Sequence, residues 1–334
     1  MKIDKLAPNT ISEDLPKLLE SKYGRYKHFE YFMSDLERSR LFCCENDNTS
    51  TQSFAGYDGD KLIAHVSLIK DKRLNRTESF FGFIEFPDDA KSFNLLWGSL
   101  VNEARSQGIS ILKGPVNGSV WHQYRCVTKS DGTDPFTAEP ICEPYYFTHL
   151  VSKKPSAEIQ YYSAYRKPFD IVLRLIDRKA LEKMSDLGFA MSEVKEMTPE
   201  LLQTIAKISR SVFSQNWGYT ELNEKEFVQL YSLNKMSAHL NSLYALYRGG
   251  EMIGFCSTSE EDKKTLILKT ICILPKYQGL GLGNALAYKI HQDAKERGYT
   301  RMIYALMREG NSIKNFPKEE AVIFRHYAAL EFQI

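Results

Sequence analysis

No C-x-x-C pair occurs among the six cysteines and no metal-ligand spacing among the seven histidines, so zinc modules are excluded and reduced thiols are expected. No stretch approaches the roughly eighteen apolar residues that a membrane span requires. The stretch through Glu30 carries Asp4, Glu13, Asp14 and Glu20 and no apolar segment of the kind a secretory leader needs, which makes a soluble, cytoplasmic chain the expectation. Long runs of one charge are also missing: Lys and Arg total 44 against 42 for Asp and Glu, so neither a nucleic-acid nor a membrane partner follows. At 334 residues the chain holds two domains of ordinary size.

What is present centres on Thr265 to Gly298, TLILKTICILPKYQGLGLGNALAYKIHQDAKERG. Thr265 to Leu274 is β-branched and apolar and stops at Pro275, which predicts a strand. Asn284 to Arg297, preceded by Leu282 and carrying Leu286, Ile290 and Ala294 at four-residue steps before Gly298, predicts a helix. Between them, glycines at 279, 281 and 283 let successive N–H groups turn toward one point, where the helix adds its positive dipole end. Such a loop is an anion cradle suited to a pyrophosphate. A nucleotide P-loop would end in Gly-Lys-Ser/Thr, but here Gly283-Asn284-Ala285 stands in that place. A dinucleotide fingerprint fits poorly as well, because its third glycine falls one place early and its acid position lands near Ile303. Cys272, inside the strand, reads as a small buried apolar residue rather than a nucleophile.

The pattern left is Q/R-x-x-G-x-G/A, met by Gln278, Gly281 and Gly283 after a strand closed by Pro275. It resembles the coenzyme A loop of the GNAT superfamily of N-acetyltransferases. The resemblance implies an acyl-CoA co-substrate, acetyl-CoA or another, held by Gln278, Gly279, Leu280, Gly281, Leu282, Gly283 and Asn284. It further implies that the strand before the loop splays from its neighbour to admit the pantetheine arm, and that N–H groups at Ile271, Cys272 and Ile273 serve as oxyanion donors. Asn311 starts a segment resembling the family's fourth helix, which lies against the coenzyme.

An internal repeat widens the resemblance to nearly the whole chain. YDGDKLIAHV from Tyr57 lies on YRGGEMIGFC from Tyr247 at an offset of 190, and the same offset carries ARSQGISIL from Ala104 onto AKERGYTRM from Ala294. Two tandem α/β copies are expected, each a mostly antiparallel twisted sheet flanked by helices: residues 1–165, a connecting segment 166–188, and residues 189–334. In the first copy, strands are predicted at Ser53 to Tyr57, Lys61 to Ile69 and Glu78 to Phe86, and helices at Asp14 to Ser21 and Ala90 to Gln107. There Asp88 and Asp89 stand where the glycine loop would be, and their charge disfavours a pyrophosphate. In the second copy Thr198-Pro199-Glu200 starts a helix to about Phe213, and another is expected over Glu221 to Tyr231.

Acceptor-pocket candidates come from two places. The loop from Lys113 to Tyr146 combines Asn117, Trp121, His122, Gln123, Tyr124 and Arg125 with several Pro and Gly, and it reads equally as a packed surface loop. Trp217 and Tyr219 lie between the second copy's first two helices, a region that faces the acceptor in the family, and core aromatics are the competing reading. The chemistry also needs a base and an acid. Glu309, after the fifth strand, is one base candidate beside Glu260, Glu261 and Asp262 in the preceding hairpin; Tyr327, in a Y-x-x-x-G-F-like context with Glu331 in place of glycine, is the acid candidate, though it falls within the last available strand, Ala321 to Phe332. No metal is expected. The function expected from the resemblance is transfer of an acetyl or short acyl group to a primary amine of a small-molecule or amino-acid-like acceptor. Transfer to a protein or peptide amine and a non-catalytic acyl-CoA-binding role are the alternatives. A homodimer is an open option for the assembly.

Overall fold

The computed structural model describes residues 1–166, 175–231, 240–310 and 321–334. In chain order the first elements are β1 (Lys2–Lys5), α1 (Leu15–Tyr23), α2 (Phe29–Glu45), β2 (Thr49–Asp58), β3 (Lys61–Asp71), β4 (Glu78–Glu85), α3 (Ala90–Ser106), β5 (Ile111–Gly114), β6 (Cys126–Ser130) and α4 (Tyr145–Val151). There follow β7 (Ala157–Arg166), α5 (Leu175–Asp186), β8 (Phe189–Glu193), α6 (Pro199–Phe213), α7 (Glu224–Leu230), β9 (Leu240–Arg248), β10 (Glu251–Asp262), β11 (Thr265–Ile273), α8 (Leu282–Glu296), β12 (Arg301–Arg308) and β13 (Ala321–Gln333).

The chain divides into two compact units. The first holds residues 1–161, 217–220 and 325–334, and the second 162–216 and 221–324. This differs from a cut near residue 165 in two respects: the end of β13 belongs to the first unit, and so does the short segment from Trp217 to Thr220.

In the first unit the strand order is β1-β2-β3-β4-β5-β13, antiparallel except for the β4–β5 pair. Side chains alternate between two faces of this sheet, and each face has its own core. Val66, Leu68 and Phe81 pack with Phe93, Leu96, Trp97 and Leu100 of α3 and Leu150 of α4. Ile69, Phe80 and Phe83 pack with Leu15 and Leu19 of α1 and Phe32 and Leu36 of α2.

In the second unit the order is β8-β9-β10-β11-β12, with β7 beside β12; β8 to β11 pair antiparallel and β11–β12 pair in parallel. Met184 of α5 and Leu282, Leu286 and Ile290 of α8 form a core with Tyr244, Leu246, Cys256, Leu266 and Leu268. Helix α6 packs against β10 and β11. It starts where the sequence places it: the Thr198 side chain accepts from the Leu201 N–H at 3.2 Å, with Pro199 in the first turn. Among the described residues no helix is long and apolar enough to cross a membrane, and no group of His, Cys, Asp and Glu could hold a metal ion.

Candidate functional site: the glycine loop and the parting strands

The apolar run of β11 ends at Ile273, a single 3-10 turn follows over Pro275–Tyr277, and α8 begins at Leu282 with Gly281 as its cap. Gly279 and Gly281 take φ values of 79° and 81°, the left-handed region that a side-chain-bearing residue adopts only at a cost. A Cβ built on Gly279, Gly281 or Gly283 would meet no protein atom within 4 Å. The loop is therefore bare backbone facing open space, and side chains there would fill the room in which an anion sits. The first helical N–H bonds come from Asn284 and Ala285, both to the Gly281 carbonyl at 3.1 and 3.2 Å. The N–H groups of residues 279 to 283 precede them and have no such partner, as at any helix start. Free donors, left-handed glycines and the positive end of α8 converge on one place, and these features fit a pyrophosphate.

The strands beside the loop part as the sequence reading expects. Parallel pairing of β11 with β12 runs from Thr265↔Arg301 to Leu268↔Tyr304 and goes no further, while β10 follows β11 to Ile273. Which groups face the gap follows from alternation along the strand. The Leu274 N–H donates to Ile253 O at 3.0 Å, toward β10, so Ile273 and Ile271 present their N–H and C=O groups to the other edge. The side chain of Gln278 closes the near end of that edge, its Nε2 donating to Ile273 O at 2.8 Å. This is a structural task for the glutamine of the motif: it ties the loop to the strand and leaves the loop N–H groups unused. Ile271 and Leu280 are exposed, and Cys272 is fully buried, where burial pushes its thiol well above the usual range and holds it as an inert apolar residue.

The corresponding place in the first unit is closed by its own chain. Asp89 caps α3, its Oδ1 accepting from the Ser92 N–H at 2.8 Å, and this hydrogen bond holds its carboxyl below the ordinary value. Asp88 Oδ1 lies 3.0 Å from His149 Nε2. A side-chain carboxylate thus occupies the position of an anionic ligand.

The remaining site candidates scatter. Trp121, Trp217 and Tyr219 come together in the first unit: the Trp121 and Tyr219 rings are 5.8 Å apart, Trp121 Nε1 donates to Thr220 O at 2.8 Å, and Trp217 packs on the α1–α2 core. Asn117 accepts the Phe83 N–H at 2.7 Å, and His122 Nδ1 lies 2.9 Å from Ser119 Oγ. Glu309 is exposed on the turn after β12. Asn311 lies outside the described residues. Tyr327 has to be corrected. It is 1% exposed on β13 in the first unit, and its hydroxyl donates to the buried Glu139 at 2.5 Å, with Arg325 Nε 3.1 Å from the same carboxylate oxygen. A hydroxyl committed in this way is not available to protonate a departing thiolate.

Sequence reasoning missed one polar group altogether. Glu85 on β4, 6% exposed, accepts from Lys22 Nζ at 3.0 Å, from Tyr146 at 2.5 Å and from Tyr23 at 3.2 Å. Burial raises its carboxyl above the ordinary value against the pull of Lys22. Lys22 and Tyr23 are neighbours, but Glu85 lies 63 residues after Lys22 and Tyr146 61 residues after Glu85, so no local spacing connects the group.

Comparison with known proteins agrees with this geometry. Residues 202–315 match the acetyltransferase (GNAT) family model. Protein YghO of Escherichia coli (strain K12) is 23% identical over 186 residues, covering 53% of this chain and 45% of that protein. A bacterial ceramide synthase of Caulobacter vibrioides is 23% identical over 190 residues, covering 55% and 49%. The chain thus spans about half the length of the curated relatives it matches. Among solved structures, a tandem GNAT protein from the clavulanic acid biosynthesis pathway superposes with a TM-score of 0.55 at 9% identity, covering 99% of this chain and 98% of that one. A probable N-acyltransferase of Enterococcus faecalis V583 gives 0.58 at 10% identity, covering 99% and 71%. The chain has the tandem GNAT fold, and its residues 202–315 are similar to the acetyltransferase (GNAT) family.

Proposed function

We propose that the protein is an N-acyltransferase that uses an acyl-CoA bound on the second unit and passes the acyl group to a primary amine. The observation that carries this reading is the end of β11–β12 pairing at Leu268 and Tyr304 directly before a bare glycine cradle. The N–H groups of residues 279 to 283 would hold the pyrophosphate, and the bound coenzyme supplies an activated thioester. The free-edge N–H groups of Ile271 and Ile273 would donate to the oxygen that gains charge as the amine attacks. Exposed Glu309, just beyond β12, is proposed as the base that takes the amine proton. The acid is not assigned to a side chain.

Acyl length separates two forms of this reading. Acetyl is the first. A long chain is favoured by the exposed apolar Ile271 and Leu280 beside the cradle and by the relative named as a ceramide synthase, a ceramide being an N-acyl amide. Calorimetric titration of acetyl-CoA and palmitoyl-CoA into the protein and into Gly281→Asp tests both. Binding by the parent and its loss in a variant that keeps its circular dichroism spectrum are expected, and the tighter ligand names the donor. A folded parent that binds neither overturns the reading. With an acceptor in hand, Glu309→Gln is expected to lower kcat at least tenfold and leave acyl-CoA affinity unchanged.

A further inference from the structure

The parting of β11 from β12 coincides with an irregularity in β11 itself. Ser257 of β10 pairs with Thr270, but the next residue, Thr258, pairs with Leu268, so Lys269 is an extra residue, a β-bulge, directly beyond the last β11–β12 pair. The bulge exchanges the faces that the strand shows. Leu266 and Leu268 before it lie in the core beneath α8, and after it Ile273 does. Alternation on either side therefore sets both Lys269 and Thr270 on the opposite face. That is the face of α6, which packs on β10 and β11 and whose buried Leu202, Ile205 and Ile208 are not part of the α8 core.

The strand is open to solvent at this place. It is buried from Thr265 to Leu268 and again at Cys272 and Ile273, whereas Lys269 and Ile271 are exposed. Among the described residues the Lys269 ammonium has neither an ion pair nor a hydrogen bond. The glycine cradle lies at the start of α8, so a coenzyme held there enters the gap from the α8 face and leaves the α6 face to the acceptor. A cation on that face filters what can approach. Primary amines are mostly ammonium ions at neutral pH, and a fixed positive charge repels them. An amine that carries a negative group of its own is attracted instead, and the same charge favours the neutral, nucleophilic form of its nitrogen.

We propose that Lys269 selects the acceptor, an amine that also bears an anionic group, carboxylate or phosphate, with which the ammonium pairs. The inference rests on the acyl-CoA reading above and names the acceptor class for it. In the transfer the amide N–C bond forms as the thioester C–S bond breaks, and the proton shed by nitrogen is finally taken up by sulfur. A lysine ammonium is a point charge that serves planar and tetrahedral anions alike, so the two sources are separated by experiment.

Coenzyme A thioethers that end in an acetamide are unreactive mimics of donor and acceptor joined. Four of them, with the amide nitrogen of leucine, leucinol, phosphoethanolamine or ethanolamine, are titrated into the full chain by calorimetry beside coenzyme A itself. At least one anionic arm is expected to bind about fivefold or more tightly than its neutral counterpart, and the pair with the larger ratio names the anion. The ratio is expected to vanish in Lys269→Gln, to invert in Lys269→Glu, and to narrow in the parent as potassium chloride is raised. If coenzyme A binds but neither anionic arm is preferred, or if the preference survives salt or persists in the folded variants, the inference is overturned and the acyl-CoA reading stands. A folded parent that binds neither coenzyme A nor any thioether overturns both.

Discussion

Asp89 and Gly281 occupy equivalent helix starts in the two units and answer the same physical demand in opposite ways. Every helix start has unpaired N–H groups and a positive potential. Asp89 satisfies them with its own carboxylate, whereas Gly281 leaves them to a ligand. Asp89→Ala is therefore expected to cost about 1 kcal/mol in urea denaturation, as the loss of a capping side chain does. The same substitution is not expected to create an acyl-CoA site, because the left-handed glycines are missing there. Tyr327→Phe separates a structural role from a catalytic one: leaving Glu139 short of a donor is expected to cost roughly 1–3 kcal/mol, with acyl-CoA affinity unchanged. The glycine motif and the aspartates that replace it were both legible in the sequence, since each acts through neighbours only a few residues away. The partner of Tyr327 was not, because Glu139 is distant in the chain.

At the level of elements, legibility tracked the strength of local signals. Helices α3, α6 and α8 carry clear apolar stripes, and the first two open on side-chain caps that the structure shows in use. Helix α2 was missed. His28 before it makes no side-chain cap, and its buried face interleaves Phe32 and Leu36 with Ser39 and Cys43, which weakens the apolar period. Strand β1 is four residues long and gains its identity from pairing with β2. The meeting of β4 with the loop after β5 depends on another non-local fact: a Cβ on Gly82 would lie 2.0 Å from Val116 O, backbone that cannot yield. Gly82→Ala is accordingly expected to destabilise the first unit by about 1–3 kcal/mol, read as a lowered urea midpoint.

For the molecule as a whole, two fully buried histidines set a pH dependence. Burial holds His65 at about 4 and His291 at about 3, with His65 Nδ1 2.8 Å from Phe83 O and His291 Nε2 2.8 Å from the Tyr304 hydroxyl. Unfolded histidine takes up a proton near pH 6.5, whereas the folded chain does not until pH 4 or below. The unfolded state therefore binds more protons across that window, and stability is expected to fall as pH drops from 6.5 toward 4. Glu85, with its raised carboxyl, works in the opposite sense. Comparison of urea midpoints with those of His291→Gln isolates the histidine contribution: the slope with pH is expected to be shallower in the variant. Removing residues 325–334 tests the division of the chain, because Leu330 and Phe332 are part of the first unit's core. Loss of that unit's cooperative melting is expected.

The sequence by itself determined the tandem repeat, the order of most strands and helices, and the glycine loop with its strand and helix, because each is written in spacings within a few tens of residues. Only the tertiary structure decided that the end of the last strand, from Arg325, and the segment from Trp217 to Thr220 belong with the first unit. It also decided that Tyr327 is a buried anchor for Glu139 and that Arg125 and Gln123 share a cavity with leucines from α1 and α2. The physical reason is common to these cases. A helix start or a turn is selected by neighbouring residues, but a buried hydrogen bond, a unit boundary or a cavity wall is selected by what the folded chain brings close, and sequence separation does not encode that distance.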